Sequence, residues 1–103
     1  MLDANKKICL TGDELIDALK EIEFILISLH KMGAYYADDY AANNTAEYEQ
    51  ETTKFIDDQN VTGRLAKVRS ILSAKFDSTL GEDDMDDLER AMEDLQYWSK
   101  PGG

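Results

Sequence analysis

One long apolar segment, from Thr11 to Gly33, constrains the fold of this chain more than any other feature of the sequence. It opens with Thr11 and Glu14, the spacing of a capping box, in which each side chain bonds an otherwise unpaired amide of the first helical turn. Leucines and isoleucines then recur every three or four residues and form one stripe along a helix. The stripe consists of Leu15, Leu19, Ile22, Leu26 and Leu29, with Ala18, Ile25 and Met32 beside it. The pattern predicts an amphipathic first helix that ends at Gly33.

Three more apolar residues of this helix, Ile16, Phe24 and Ile27, fall away from the main stripe and form a second, partial apolar face. A helix with two apolar sides either packs centrally against neighbours on both sides or keeps one side for another protein. We favour the central position. The alternative is that these three residues mediate self-association or contact a partner helix.

A second helix is predicted between residues 34 and 58, where aromatic residues and alanines share one face. Asn44 and Glu47 have the spacing of another capping box, and asparagine prefers helix ends to helix interiors. We therefore expect this helix to be kinked or broken near Asn44. A third helix follows a connection at residues 60–63, because apolar residues then recur at spacings of four, three, four and four. These residues are Val61, Leu65, Val68, Leu72 and Phe76.

A fourth helix is predicted near the end of the chain, with acidic residues crowding its N-terminal end, where the helix dipole favours negative charge. Its apolar stripe consists of Met85, Leu88, Met92 and Leu95, flanked by Ala91 and Trp98. Sustained polar–apolar alternation is missing from the sequence, and only one proline interrupts it. The sequence therefore predicts an all-α fold, a compact bundle of about four helices. We expect a single domain over residues 1–103, with residues 1–10 as an N-terminal extension and 99–103 as a flexible tail.

The inventory of reactive residues argues against an enzyme. His30 is the only histidine and Cys9 the only cysteine, and they lie at opposite ends of the first segment. A glycine-rich phosphate loop is missing as well. Residues 58–63 resemble the opening of a calcium loop, but Arg69 occupies the twelfth position, where a bidentate glutamate is needed. We expect no catalysis, no cofactor and no metal site. The single cysteine and the lack of a membrane segment favour a cytoplasmic protein.

The net charge of −11 comes from 22 acidic and 11 basic residues. Direct binding to nucleic acid or to anionic lipid requires clustered lysines and arginines, so both partners are disfavoured. The basic residues are concentrated: residues 60–76 carry four positive charges and no negative one, which leaves −15 for the rest of the chain. We expect the cations of the third helix to pair with acidic neighbours across the groove. The alternative is a nucleic-acid contact on that helix.

The predicted fourth helix carries two rows of carboxylates. Within each row, successive carboxylates are about one helical turn, 5.4 Å, apart. Asp86, Glu89 and Glu93 form one row, and Asp83, Asp87 and Asp94 form the other, interrupted only by Arg90. The second segment adds more acids and two tyrosines, and aromatic anchors dominate many binding energies. The predicted partner-binding residues there are Asp38, Asp39, Tyr40, Glu47, Tyr48 and Glu51.

A rigid acidic surface with aromatic anchors suits an inhibitor that occupies a basic site on a protein target. We therefore expect a small binding protein of the immunity, antitoxin or anti-defence kind, including inhibitors that mimic DNA. The main alternative is a structural or chaperone-like adaptor that acts through homodimerisation or helix–helix contacts. A third interpretation is that the acidic residues only keep the protein soluble.

Overall fold

A computed structural model describes residues 1–37 and 44–102 of the chain. The described residues form a short 3-10 turn and four α-helices, with no strand among them. The turn spans Asp3–Asn5, and the helices are α1 (Gly12–Ala37), α2 (Thr45–Asp58), α3 (Val61–Ser73) and α4 (Asp87–Met92). The predicted all-α fold of about four helices is confirmed, with α1, α2 and α3 packed together. The chain divides into two compact units, one of Leu10–Ala74 and one of Met1–Cys9 with Lys75–Gly103.

The helix α1 begins as the sequence predicts and ends later. The backbone N–H of Thr11 donates to the Glu14 carboxylate at 2.8 Å, and the Thr11 hydroxyl accepts from the Glu14 N–H at 3.1 Å. The predicted end at Gly33 is wrong, because α1 continues to Ala37. Tyr36, in the added turn, stacks on Tyr48 of α2 with ring centroids 5.1 Å apart. Packing between helices outweighs the cost of a glycine inside a helix, about 1 kcal/mol.

The predicted break near Asn44 is confirmed. Asn44 stands at the N-cap position of α2, and its carbonyl accepts the N–H of Tyr48 at 3.0 Å. Its side chain makes no capping hydrogen bond, so the predicted capping box with Glu47 does not form. The predicted site residues Asp38, Asp39 and Tyr40 lie outside the described residues.

Both α2 and α3 run antiparallel to α1. Along the chain from Tyr48 through Phe55 to Arg64, the partner residues on α1 run backwards. The three pairs are Tyr48 with Tyr36, Phe55 with Phe24, and Arg64 with Glu21. The unit Leu10–Ala74 is therefore a helical hairpin in which one long helix pairs with an arm made of two shorter ones. Within the described residues of this unit, α1 forms one layer, and α2 together with α3 forms the other.

Asn60 forms the joint between α2 and α3. Its backbone is left-handed, with φ of 50°, a conformation that asparagine tolerates better than most residues. Its side-chain oxygen accepts the N–H of Gly63 at 3.3 Å and caps α3. A Cβ atom at Gly63 would lie 2.3 Å from the Asn60 amide nitrogen, so the cap fits because residue 63 is glycine.

The core of the hairpin is small and lies to one side of the predicted stripe. Its buried apolar residues are Ala18, Ile25, Val61 and Val68. The leucines of the stripe, which we expected to face the core, are between about two and three fifths exposed. The orientation of α1 about its own axis explains the difference. Its Ala18 side faces α3, because a small residue lets the two helices approach closely, and the leucine stripe lies beside this contact.

The other unit joins the two ends of the chain through polar side chains. The Asn5 amide donates to the Asp77 carbonyl at 3.0 Å and accepts the Asp77 N–H at 2.8 Å. The Asp87 carboxylate accepts from the Asn5 amide at 2.7 Å and from the Leu2 N–H at 2.8 Å. Asn5 and Asp87 are both buried. Residues 1–9, expected to be an extension, are thus hydrogen-bonded into a folded unit.

The predicted fourth helix is much shorter than expected. Its N-terminal end is as predicted, because Asp86 and Glu89 form a capping box in which each bonds the backbone N–H of the other. The helix ends after Met92, six residues long, and the chain leaves it through turns from Arg90 to Glu93 and from Met92 to Leu95. The expected stripe from Met85 to Trp98 is therefore not a continuous helical face.

Candidate functional site

A broad apolar surface of the hairpin is the most unusual feature of the described residues. Seven large apolar side chains on α1 and α3, each between 37% and 58% exposed, lie on one side of the pair. We call this surface the open face. It comprises Leu15, Leu19, Ile22, Leu26, Leu29, Leu65 and Leu72.

The helix geometry places these side chains on the same side. At about 100° per residue, the exposed leucines of α1 are displaced in one rotational sense from the buried Ala18–Ile25 stripe. Leu65 and Leu72 are displaced in the same sense from the buried Val61–Val68 stripe. Because α3 is antiparallel to α1, equal rotational displacements from the two facing stripes emerge on the same side. The open face is therefore continuous across both helices.

The open face is large for a single domain of this size. Its seven side chains present roughly 600 Å², the upper end of the largest apolar patch on a typical monomer and not far below the area per partner of a standard interface. Among the described residues, the hairpin thus exposes seven large apolar side chains on this face and buries four apolar residues.

The residues predicted for self-association occupy different surroundings. Phe24 is 37% exposed and contacts both other helices of the hairpin, with its ring 5.7 Å from Phe55 and the Arg64 guanidinium 4.3 Å above it. Ile16 and Ile27 are both exposed, but they project from the side of α1 that faces away from α3. From the sequence, a partner contact on these three residues was the alternative to central packing of α1, and the leucine stripe of α1 was expected to face the core. The wide apolar arc of α1 is the feature of the sequence that indicates an uncovered apolar surface, because one neighbouring helix cannot cover the whole arc.

The basic third helix pairs with α1 across the groove, as expected. Glu21, whose side chain is 15% exposed, accepts from Arg64 at 3.1 Å and lies 3.7 Å from Lys67. Arg64 also donates to the Gln59 carbonyl at 2.8 Å, so it connects all three helices of the hairpin. Arg69 makes no hydrogen bond or ion pair within residues 1–37 and 44–102, and it lies on the outer edge of α3, beside the open face.

The predicted acidic residues of α2 surround a pair of tyrosines. Glu47 and Glu51 lie near Tyr36, whose ring stacks on Tyr48. Burial raises the pKa of Tyr36, and the charge of Glu47 and its hydrogen bond to the Tyr36 hydroxyl raise it further. Tyr48 is partly exposed, but its stacking on Tyr36 gives it a structural role as well. These residues fasten α1 to α2.

Arg90 gathers two of the predicted site carboxylates. It donates to both oxygens of Asp83 at 2.8 Å and to Asp87 at 2.9 Å. Hydrogen bonds from Arg90 hold the pKa of Asp83 well below its usual range, and the Asp87 pKa is lowered by Asn5, Leu2 and Arg90. Asp87 is 8% exposed, so it does not contribute to an acidic surface. Two carboxylates of the second predicted row, Asp83 and Asp87, therefore bind groups of this chain.

The remaining acids at this end of the chain stand beside exposed aromatic residues. The side chains of Glu93 and Asp94 make no hydrogen bond or ion pair with any described residue, and both are exposed. Tyr97 and Trp98 follow them and are 75% and 82% exposed. Asp86 and Glu89, by contrast, are engaged in the capping box of α4. The structure thus separates the predicted carboxylates into structural ones and free ones.

Sites for small ligands are poorly developed in the described part of the chain. A shallow groove of about 420 Å³ between α1 and α2 is lined by side chains that include Phe24, Phe55, Lys31 and Lys54. Over residues 1–37 and 44–102, no three histidine, cysteine or acidic side chains come together in a way that could hold a metal ion. Among the described helices, none has the length and apolar character needed to cross a membrane.

Comparison with protein-family models, with curated proteins and with solved structures finds no match to this chain.

Proposed function

We propose that this chain is a small adaptor-like binding protein, which carries out no chemistry of its own and acts by burying the open face against another protein. The observation that supports this proposal is the imbalance between a core of four buried apolar residues and seven large apolar side chains exposed on one face. Exposed apolar patches of this extent mark interaction sites in soluble proteins.

The charge of the chain favours a protein as the partner. A net charge of −11 opposes binding to phosphate backbones and to anionic lipid surfaces. The open face is instead an elongated apolar surface along two helices, which suits the amphipathic helices of another protein. Cys9 is exposed and is the only cysteine, so the proposed place of action is a reducing cytoplasm.

A photo-crosslinking amino acid tests the proposal in cells that express the chain. Placed at Leu26, in the middle of the open face, it should yield a covalent adduct with whatever protein covers the face. Placed at Asp17, which is exposed on the other flank of α1, it should yield little or none. Equal crosslinking at both positions, or none at either, would contradict the proposal.

A second candidate function, inhibition of a target with a basic site, is favoured by the end of the chain. Glu93 and Asp94 are free carboxylates, and the neighbouring Tyr97 and Trp98 are exposed anchors. In this proposal these four residues bind the partner. The charge steers a basic protein at long range, and the aromatic residues supply the contact energy.

The inhibitor function predicts binding that weakens steeply between low salt and physiological salt, about 0.15 M. The double change Glu93→Gln and Asp94→Asn should slow association with the target, measured by surface plasmon resonance. The matched control, Asp13→Asn with Asp17→Asn, removes the same charge from α1 and should leave association nearly unchanged. Binding that is unchanged by salt and by the Glu93→Gln and Asp94→Asn changes would exclude this function.

A further inference from the structure

We propose that the occupant of the open face is a second copy of this chain, so that two hairpins pack face to face with α1 and α3 of each copy at the contact. This inference rests on the function proposed above and names its partner. Three features of the hairpin support it: the area of the open face, the charges at its two edges and the small size of the core.

The area suits a self-contact. Two hairpins that cover each other would each bury most of the roughly 600 Å² of the open face together with its polar rim, which approaches the roughly 800 Å² per partner of a standard interface. A two-fold contact between two copies is isologous, so the same apolar face lies on both sides of the interface. Leu19 and Leu26, each 58% exposed, are its most exposed members and gain the most burial.

The edges of the open face carry opposite charges. Glu23 lies just beyond Leu19 at the outer edge of α1, and Arg69 lies at the outer edge of α3. Neither side chain has a hydrogen bond or ion pair with another described residue. If α1 of one copy lies over α3 of the other, each acidic edge meets a basic edge, and this occurs twice in a two-fold dimer. The pairing favours α1 over α3 rather than α1 over α1, despite the net charge of −11 on each copy.

The small size of the core gives a reason for self-association. Small domains with few buried apolar residues rarely reach useful stability alone, and oligomerisation is one common remedy. Not one described side chain is completely buried. A second copy is present wherever the chain is made, so self-association supplies the missing burial without a separate partner.

Sedimentation velocity over a range of protein concentrations tests the proposal. We expect the full chain to sediment as a dimer that dissociates on dilution. Leu26→Glu should weaken the dimer by more than about 100-fold, since each dimer loses two buried leucines. Ile27→Glu is the matched control: it introduces the same charge at the next residue, outside the open face, and should change the dissociation constant by less than about threefold. Circular dichroism verifies that both variants remain helical.

A charge exchange tests the arrangement of the helices. Arg69→Glu should weaken the dimer by about three- to tenfold, because exposed pairs contribute up to about 1 kcal/mol each and the contact occurs twice. Adding Glu23→Lys to that variant should restore the dissociation constant to within about twofold. Failure of the second change to rescue the first would overturn the placement of α1 over α3.

The outcomes also separate this inference from the proposed function. A chain that stays monomeric at all concentrations, with the Leu26 crosslinker forming an adduct with a different protein, overturns the second copy and leaves the adaptor function standing. An adduct of twice the chain mass supports both. Equal weakening of the dimer by Leu26→Glu and Ile27→Glu overturns the use of the open face.

Discussion

The side-chain amide of Asn5 pairs with the backbone of Asp77 in both directions, donating to its carbonyl oxygen and accepting from its N–H. The two residues are separated by 72 positions in the sequence. Because Asn5 also donates to the buried Asp87, one short polar side chain joins the beginning of the chain to two points near its end.

Removal of this side chain should loosen the unit that contains both ends of the chain. Asn5→Ala leaves the Asp77 N–H and part of the Asp87 carboxylate without partners, and each such loss costs about 1–3 kcal/mol. We expect faster hydrogen exchange at the Asp77 amide, measured by NMR. The control Lys6→Ala removes only an exposed ion pair with Asp3 and should change little. Similar exchange rates in both variants would contradict the role of Asn5.

Acid should weaken the same unit before it affects the hairpin. Asn5, Leu2 and Arg90 all donate hydrogen bonds to Asp87, so the pKa of Asp87 lies below its ordinary value of 3.8. A lowered folded pKa contributes stability that is present above the ordinary value and is lost as the pH falls through the folded one. The side-chain amide signals of Asn5 should therefore broaden or shift below about pH 4. In Asp87→Asn the shift associated with this carboxyl should disappear, and an unchanged acid titration would exclude the assignment.

At the joint between α2 and α3, replacing Asn60 by glycine should cost less stability than replacing it by alanine. Asn60→Gly keeps the left-handed backbone and loses the cap of α3, at a cost of about 1 kcal/mol or less. Asn60→Ala loses the cap and also forces alanine into a left-handed conformation, which adds about 1–2 kcal/mol. Urea unfolding followed by circular dichroism should therefore rank the wild type, the glycine variant and the alanine variant in that order. Equal stability of the two variants would show that the backbone of residue 60 is not under this constraint.

Alkaline pH should release α2 from α1. The Tyr36 pKa lies above 10.0, because the ring is desolvated and Glu47 lies against its hydroxyl. An acid whose folded pKa is raised favours the folded state below its ordinary pKa, and that stability is lost as the pH rises through the raised value. In a ¹³C-tyrosine NMR titration, Glu47→Gln should lower the Tyr36 midpoint. Glu49→Gln, on another side of α2, should leave it in place, and an equal effect of both changes would contradict the contact.

Features that depend on a few neighbouring residues could be predicted from the sequence. The start of α1 follows from Thr11 and Glu14, since both partners of a capping box lie within one turn. The break at Asn44 and the third helix follow from asparagine chemistry and apolar spacing in the same way. The pairing of Arg64 and Lys67 with an acidic helix was also predictable, because α3 carries no acid of its own.

Features that depend on distant contacts were not predictable. Periodicity shows that α1 has a wide apolar arc, but it does not tell which part of the arc α3 will cover. Ala18 marks the covered part because its small side chain allows close approach. The predicted fourth helix fails for a related reason: Met92 and Leu95 remain exposed, and a short helix whose apolar side chains find nothing to pack on is only marginally stable.

The candidate site shows the same division. The free carboxylates Glu93 and Asp94 were among the residues predicted, whereas Arg90 was taken only as an interruption of the acidic rows. Its hydrogen bonds to Asp83 and Asp87 depend on a loop whose path a periodic pattern cannot reveal. The partner-binding role of the acidic residues stays a prediction.

The unit built from both ends of the chain has a consequence for the order of folding during synthesis. Met1–Cys9 is synthesised before the hairpin, but Asp77, Asp87 and Arg90 are synthesised only after it. Contacts this distant in sequence form late and slowly, whereas the hairpin is assembled from neighbours along the chain. Residues 1–9 therefore lack their hydrogen-bond partners during synthesis until residues 77–87 have been added.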